Sequence, residues 1–539
     1  MESSTLISSL PFWYLLLLLV GFITPFLKFL KHQITSKRKQ TTLLPPGPKP
    51  WPIIGNLPEM LANKPTSRWI HKIMSDLNTE IACICLGNIH VIPITSPEIA
   101  RELLTKQDSI FASRPMNWSS EHVSSGFLST IAAPYGEQWK KMKRVMANEL
   151  VSPRRLQWLQ DKRVEEADNI VLYVYNQCNK NGGGLVDARI VARHYCGNII
   201  RRLVFNSRNF GKGREDGGPG FEEVEHIDAI FTVLRYLFAF SISDYVACLR
   251  ELDLDGHKKN LKMATKLIMK YHDPLIEDRV QQWKNGKRTC EEDLLDVLIS
   301  LKDANDNPLL TVDEIKCQIM DMMIATVDNP SNVFEWGLAE MLNRPETLRK
   351  AVEELDTVVG KERQVQESDI PKLNYIKACA REVFRLHPID DINATHVSME
   401  DTFVANNTYF IPKGSHIVLR RQGIGQNPRI WEEPLKFKPE RHLEKDNNNI
   451  DGFKNLSLNE PSLKLITFST GRRGCPGINL GSTMTIMLFA RMLHGFNWSV
   501  PPNETTIDLS EREEGTIKAK PLMAFATPRL PAEVYGVST

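Results

Sequence analysis

Between Phe468 and Gly477 the chain reads Phe-Ser-Thr-Gly-Arg-Arg-Gly-Cys-Pro-Gly, a cysteine in a glycine-rich turn ahead of a long apolar helical pattern at 477–494. This turn constrains the fold more than any other feature. A thiol at the start of a helix meets backbone N–H groups and the positive end of the helix dipole, which favour the thiolate and donate to its sulfur. Gly471 and Gly477 remove side chains where backbone has to approach a flat ligand closely, and Arg473 is a natural partner for a carboxylate on such a ligand. A lone cysteine is more often a small buried hydrophobe, and that reading stands for Cys83, Cys178 and Cys379. It fits Cys475 poorly, because Phe468, Gly471, Arg473, Cys475 and Gly477 fall at spacings 0, 3, 5, 7 and 9.

The rest of the chain predicts a mainly α fold with a minor β component. Apolar residues recur with helical period over 138–150, 154–177, 187–205, 224–239, 259–283, 291–301, 311–342, 345–359 and 376–386. A strand pair is expected at 81–86 and 90–94 around Gly87-Asn88, and short strands near 396–398, 408–411 and 416–419. The polar, glycine-rich patches at 179–184 and 211–220 read as loops. With no internal repeat and no second linker, residues 53–539 form one large domain.

Ahead of that body the composition changes. Residues 6–27 carry no charge and include an unbroken leucine run from Leu15 to Leu19, about the 20 residues that a bilayer-spanning helix needs. Lys28, Lys31, Lys37, Arg38 and Lys39 follow, whereas only Glu2 is charged before it. The positive-inside rule then places 1–5 in the lumen and everything after the helix in the cytosol. A cleaved signal peptide is the rival reading, but its basic leading region is absent. Residues 28–52 combine the basic stretch with a stiff hinge, Leu44-Pro-Pro-Gly-Pro-Lys-Pro-Trp-Pro52. Nine cysteines, an odd number spread along the chain, suit reduced cytosolic thiols better than a disulfide framework. A net charge of +2 with no basic domain excludes wholesale nucleic-acid binding. In a cytosolic body the N-x-S/T triplets at Asn117, Asn393, Asn406, Asn455, Asn497 and Asn503 carry no glycan.

The Cys475 turn resembles the haem-ligand loop F-x-x-G-x-R-x-C-x-G of the cytochrome P-450 monooxygenases, and further motifs follow in that family's order. Trp139 and Lys143 match W-x-x-x-R/K, whose side chains contact a haem propionate; the usual residue is Arg, so Lys143 shares the assignment with Arg144. Glu382-Val-Phe-Arg385 matches E-x-x-R, and on a helix residues three apart share a face. In isolation such a pair is more often a solvated surface pair, but Pro439-Glu440-Arg441 matches the P-E-R segment whose Arg completes a buried network with it. The resemblance implies the cytochrome P-450 fold and haem b with Cys475 as iron ligand. Phe468, Gly471, Gly477, Trp139, Lys143 and Arg473 would lie around the haem, with Glu382, Arg385 and Arg441 as structural network. It also implies NADPH-cytochrome P-450 reductase as electron donor and an endoplasmic-reticulum location. Lys140, Lys141, Arg144 and Arg472 are a candidate docking patch for the reductase, or a solvated face.

One departure is informative. These monooxygenases carry (A/G)-G-x-(D/E)-T-(T/S) on the long central helix, whereas this chain reads Ala325-Thr-Val-Asp328-Asn329-Pro330-Ser331-Asn332. Asp328 is kept, Asn329 replaces the Thr, and Pro330 removes a donor, so a kink or local opening is expected. With His442 after P-E-R, Phe384-Arg-Leu-His-Pro388 and His272-Asp-Pro274 following the run 257–271, this resembles the plant amino-acid N-hydroxylases that make aldoximes. For His442 a packing role is weighed against a catalytic one. The branch implies that Asp328 and Asn329 stand at the catalytic position. It also implies two N-hydroxylations of an L-amino acid, with loss of CO2 and water to the aldoxime and one O2 and two electrons per turnover. Aliphatic and aromatic substrates both stay open. The substrate lining is expected from 111–133, the central helix, 389–396 and 514–516. The acidic loop 390–395 is either a polar substrate contact or only a neighbour. The alternatives are a haem-thiolate C-hydroxylase of another small plant metabolite and a non-enzymatic membrane-bound haem protein.

Overall fold

The computed structural model describes residues 44–537 except 180–183, 247–248, 250–251, 446–452 and 513–516. The expected anchor at 6–27, the basic stretch to Lys39 and the turn at 514–516 lie outside these residues. The body is mostly helical. Its long helices are α1 Glu137–Val145, α2 Gln160–Cys178, α3 Ala188–Phe205, α4 Phe221–Leu237, α5 His257–Lys284, α6 Val312–Leu342, α7 Pro345–Val359, α8 Asn374–Leu386 and α9 Ile478–Gly495. Their ends follow local chemistry. Asp187 caps α3 by accepting from the Ile190 N–H at 3.0 Å. Thr311 and Glu314 form a reciprocal capping box at the start of α6, at 3.2 and 2.9 Å. Helix α7 starts on Pro345 and stops at Gly360, the positions where proline and glycine cost least.

Helix α6 runs through the centre, packed against α3, α4, α7, α8 and α9. The helix is continuous across Pro330, so of the kink or local opening expected from the sequence the opening is absent. Ser331 Oγ donates to the Val327 carbonyl at 2.7 Å and lies 3.0 Å from the Asp328 carbonyl. Asn332 Nδ2 donates to the Asp328 carbonyl at 3.1 Å. Burial of α6 among its neighbours offsets a proline that costs a helix interior about 3 kcal/mol. Pro330 still leaves the Thr326 carbonyl without its intrahelical donor.

The sheet component is small. Strands β1 Ile84–Leu86 and β2 Ile89–Ile94 form the expected hairpin, and β7 His416–Leu419 joins β2 in parallel with β4 His396–Val397 beyond it. Sequence periodicity gave no sign of β3 Leu185–Asp187, β8 Phe496–Ser499 and β9 Met523–Pro528, which form a separate sheet in the order β3-β9-β8. A two-stranded ribbon pairs β5 Thr402–Val404 with β6 Tyr409–Ile411. The proline-rich hinge is docked where it is described: Pro46 accepts from the Cys83 N–H at 2.9 Å. Residues Phe221–Tyr245 are long and apolar enough to cross a bilayer, yet Ile227, Ile230 and Val233 of α4 belong to the core.

Candidate functional site

Helix α9 begins at Ile478, directly after the Cys475 turn. The turn is closed by two backbone bonds, Cys475 N–H to the Phe468 carbonyl at 2.9 Å and Gly474 N–H to the Gly471 carbonyl at 3.0 Å. Gly471 has φ +71°, and a Cβ there would stand 2.3 Å from the Leu104 carbonyl oxygen. Its glycine is therefore explained by left-handed backbone and a neighbouring loop, not by approach to a flat ligand. Gly477 donates to the Cys475 sulfur. Burial pushes the thiol up, while that N–H, Lys143 and Arg421 pull it toward thiolate.

Cys475 opens onto a partly open cavity with about 1400 Å³ of atom-free space. Phe468, Trp139, Lys143, Arg473, Gly474 and Gly477 line it on the side of the turn. Phe468 packs on Phe384 with ring centres 6.3 Å apart. The Arg473 guanidinium lies 4.4 Å above the Trp139 ring and donates to the Ala133 carbonyl at 2.7 Å. Trp139 Nε1 donates to the Thr130 carbonyl at 3.1 Å, and Lys143 to the Gly474 carbonyl. Two further cations line this cavity that the sequence did not single out, Arg114 and Arg421. Desolvation lowers all four: Arg473 to about 8, Arg114 to about 10, and Lys143 and Arg421 in the same direction.

A cavity holding desolvated cations and a thiol calls for an anionic ligand with a soft-metal position. Arg114 Nε, His396 Nε2, Thr467 Oγ1 and Ser469 Oγ are buried there or close by without a partner. Haem fits this donor set: Lys143 and Arg473 would take its propionates, Phe468 would border its ring, and the Cys475 sulfur would hold its iron.

The other wall is α6. Between Cys317 and Leu342 every residue but Ala325 and Asn329 is buried, and both line the cavity with Thr326 and Pro330. Spaced four apart, they form one stripe on an otherwise buried helix. Asp328 is not among the residues that line the cavity and is 4% exposed. Burial, followed by Asp390, holds its carboxyl well above the usual range, and Asn332 Nδ2 donates to it at 2.5 Å. Thr130 and Ile131 from 111–133, and Asn393 and Ala394 from 389–396, also line the cavity. Asp321, unnoticed in the sequence, ties the first loop to α6 by accepting from Thr130 and Ile131 N–H at 2.6 and 3.1 Å.

Glu382, Arg385 and Arg441 lie away from the cavity in one buried network. Arg385 donates to both Glu382 oxygens at 2.8 Å, and Arg441 Nε to Oε1 at 3.1 Å. Of the basic residues considered for docking, Arg472 pairs with Asp108 at 2.7 Å, Lys140 with Glu137 at 2.7 Å, and Lys141 with Glu314.

The comparisons agree with this geometry. The cytochrome P450 family profile matches residues 45–525. The chain is 57% identical to isoleucine N-monooxygenase 1 of Lotus japonicus, over 97% of this chain and 96% of the relative. It is 56% identical to tyrosine N-monooxygenase of Sorghum bicolor, over 91% and 87%. With phenylalanine N-monooxygenase of Arabidopsis thaliana it shares 52%, over 95% and 99%. With a thiol-bearing turn, a cavity lined by cations and a match along nearly the whole body, the chain belongs to the cytochrome P450 family.

Proposed function

We propose that this chain is an amino-acid N-monooxygenase that converts an apolar L-amino acid, branched or aromatic, to its aldoxime in plant defence metabolism. The observation that carries it is the stripe Ala325–Asn329 on α6. The position at which the chain departs from the common P-450 pattern is the one that faces the cavity, and the relatives named above are N-monooxygenases by name.

When bound, the haem supplies oxygen activation, favoured by thiolate donation to the iron. The chain's own residues do the rest. Cys475 would hold the iron; Trp139, Lys143 and Arg473 would hold the propionates; Phe468 and Gly477 would border the ring and sulfur. Asn329 presents a polar side chain where the usual threonine would stand, and the Thr326 carbonyl freed by Pro330 adds an acceptor on the same wall. Asp328 fixes this turn through Asn332. The amino nitrogen is positioned in the cavity and hydroxylated twice, each round consuming one O2 and two electrons delivered from NADPH by the reductase. Loss of CO2 and water leaves the aldoxime. Positioning of this kind is where a rigid cavity contributes most to rate.

The uncharged run 6–27 and the basic residues after it support a single-pass endoplasmic-reticulum anchor with 53–539 in the cytosol. On this reading glycosidase treatment leaves the gel mobility unchanged; a shift would reverse the orientation. The activity is tested by giving microsomes that hold the chain and reductase NADPH and one proteinogenic amino acid at a time. Oxime is expected from at least one. Only C-hydroxylated products from other substrates would make the chain a hydroxylase instead.

A further inference from the structure

Resting on the N-monooxygenase reading, we propose that the guanidinium of Arg421, steadied by Asn393, binds the α-carboxylate of the amino-acid substrate.

The contrast with its neighbour comes first. Arg420 is fully used: Nε and Nη2 reach Asp391 Oδ2 at 3.2 and 2.6 Å, and Nη1 reaches His71 at 3.0 Å. Arg421 donates only Nη2, to Asn393 Oδ1 at 2.8 Å, and its buried Nε has no partner. Among the described residues no carboxylate lies within ion-pair distance of it. A desolvated guanidinium without a counter-charge is costly, and a carboxylate taken by its two-pronged fork removes that cost.

Its position separates it from the other cations of the cavity. Arg114 donates to the Ala394 and Thr395 carbonyls at 2.6 and 2.9 Å. Arg473 and Lys143 donate to carbonyls around the Cys475 turn and Trp139. Arg421 instead rests on Asn393, and both line the cavity that Ala325, Thr326 and Asn329 of α6 also line. It therefore shares the space in which a substrate nitrogen has to be presented.

The subsite is also rigid. Arg421 begins the helix Arg421–Gly425 after β7, and its N–H is fixed on the Asp391 carbonyl at 2.6 Å. Asn393 N–H is fixed on the Leu419 carbonyl at 2.9 Å. Both partners thus come from backbone held by the four-stranded sheet, and not from free loop.

The test compares each amino acid with the amine lacking its carboxylate. Full-length chain with reductase in lipid vesicles is titrated with L-isoleucine, L-phenylalanine and L-tyrosine and with 2-methylbutylamine, 2-phenylethylamine and tyramine, reading the haem spin-state shift and the KM for oxime formation. In the unaltered chain the preferred acid binds roughly 30-fold or more tighter than its amine. R421Q abolishes that ratio and raises the KM about 30-fold while the thiolate-type CO spectrum persists. R421K, which keeps charge but not the fork, falls between. An unchanged ratio in R421Q, or loss of its thiolate-type CO spectrum, which would make Arg421 a haem-binding residue, overturns the assignment. Should R421Q fail to accumulate, R421K decides, and a ratio equal to the unaltered chain's overturns it. Oxime formation with an indifferent Arg421 sinks this inference alone; absence of oxime from every amino acid sinks the N-monooxygenase reading together with it.

Discussion

His442 Nε2 lies 2.8 Å from Glu382 Oε2, which makes the histidine after Pro439-Glu440-Arg441 a member of the buried charge network. Glu382 is wholly buried and receives Arg385, Arg441, His442 and the Lys438 N–H. Removing it strands Arg385, which has no water to turn to. E382A should lower unfolding free energy by about 3–5 kcal/mol. H442F should cost about 1–2 kcal/mol, because Oε2 keeps Arg385 Nε. Urea denaturation of the holo protein checks both, and an H442F variant as stable as the parent would remove His442 from the network.

The same carboxylate sets a limit on acid stability. Burial alone pushes Glu382 up, but hydrogen bonds from Arg385 and then His442 outweigh it and hold the group at about 2. The folded value lies below the unfolded one of about 4.5, so the stabilisation is complete above pH ~4.5 and is lost as pH falls toward 2. E382Q should flatten that part of the stability profile. A profile equally steep in the variant would place the acid-sensitive group elsewhere.

Asp321 behaves in the opposite sense. Burial raises its carboxyl to about 7 against the backbone bonds from Thr130 and Ile131 that lower it. The folded chain keeps a proton there that the unfolded chain releases near pH 3.8. Its contribution is therefore greatest below pH ~3.8 and declines as pH rises through about 7. D321N, whose carbonyl still accepts both N–H groups, should remove this dependence with little loss of stability, whereas D321A should cost about 1–3 kcal/mol. Chemical denaturation from pH 4 to about 8 reads the difference.

Haem retention is expected to follow the cation set. If Lys143 and Arg473 serve the propionates as proposed, K143A and R473Q each remove a charge-assisted donor, and each should lower the haem-to-protein ratio by about 3-fold or more. K143R should hold it. Equal haem content in R473Q and the parent would show that the guanidinium serves only the Trp139 face and the Ala133 carbonyl.

The long helices and the first hairpin were legible because their signals are local: an apolar period, a cap, a turn. The sheet of β3, β8 and β9 was not, because Leu185–Asp187 is too short for a period and its partner β9 lies hundreds of residues away. The cysteine turn could be read for the same reason as the helices, all of its residues being close in sequence. Arg421, Arg114 and Asp321 could not, since nothing beside them in the chain marks an arginine whose counter-charge is missing or an acid buried by another segment. Pro330 was read as a kink or local opening because its missing donor is visible in sequence. The packing that keeps α6 continuous comes from segments distant in the chain, which no local signal specifies.

The sulfur of Cys475 carries the account. The direct measurement is the spectrum of reduced, CO-treated, iron-replete protein, for the parent and for C475A. The parent should show a thiolate-type Soret band and C475A should show none. A colourless parent, or an unchanged band in C475A, would contradict the assignment.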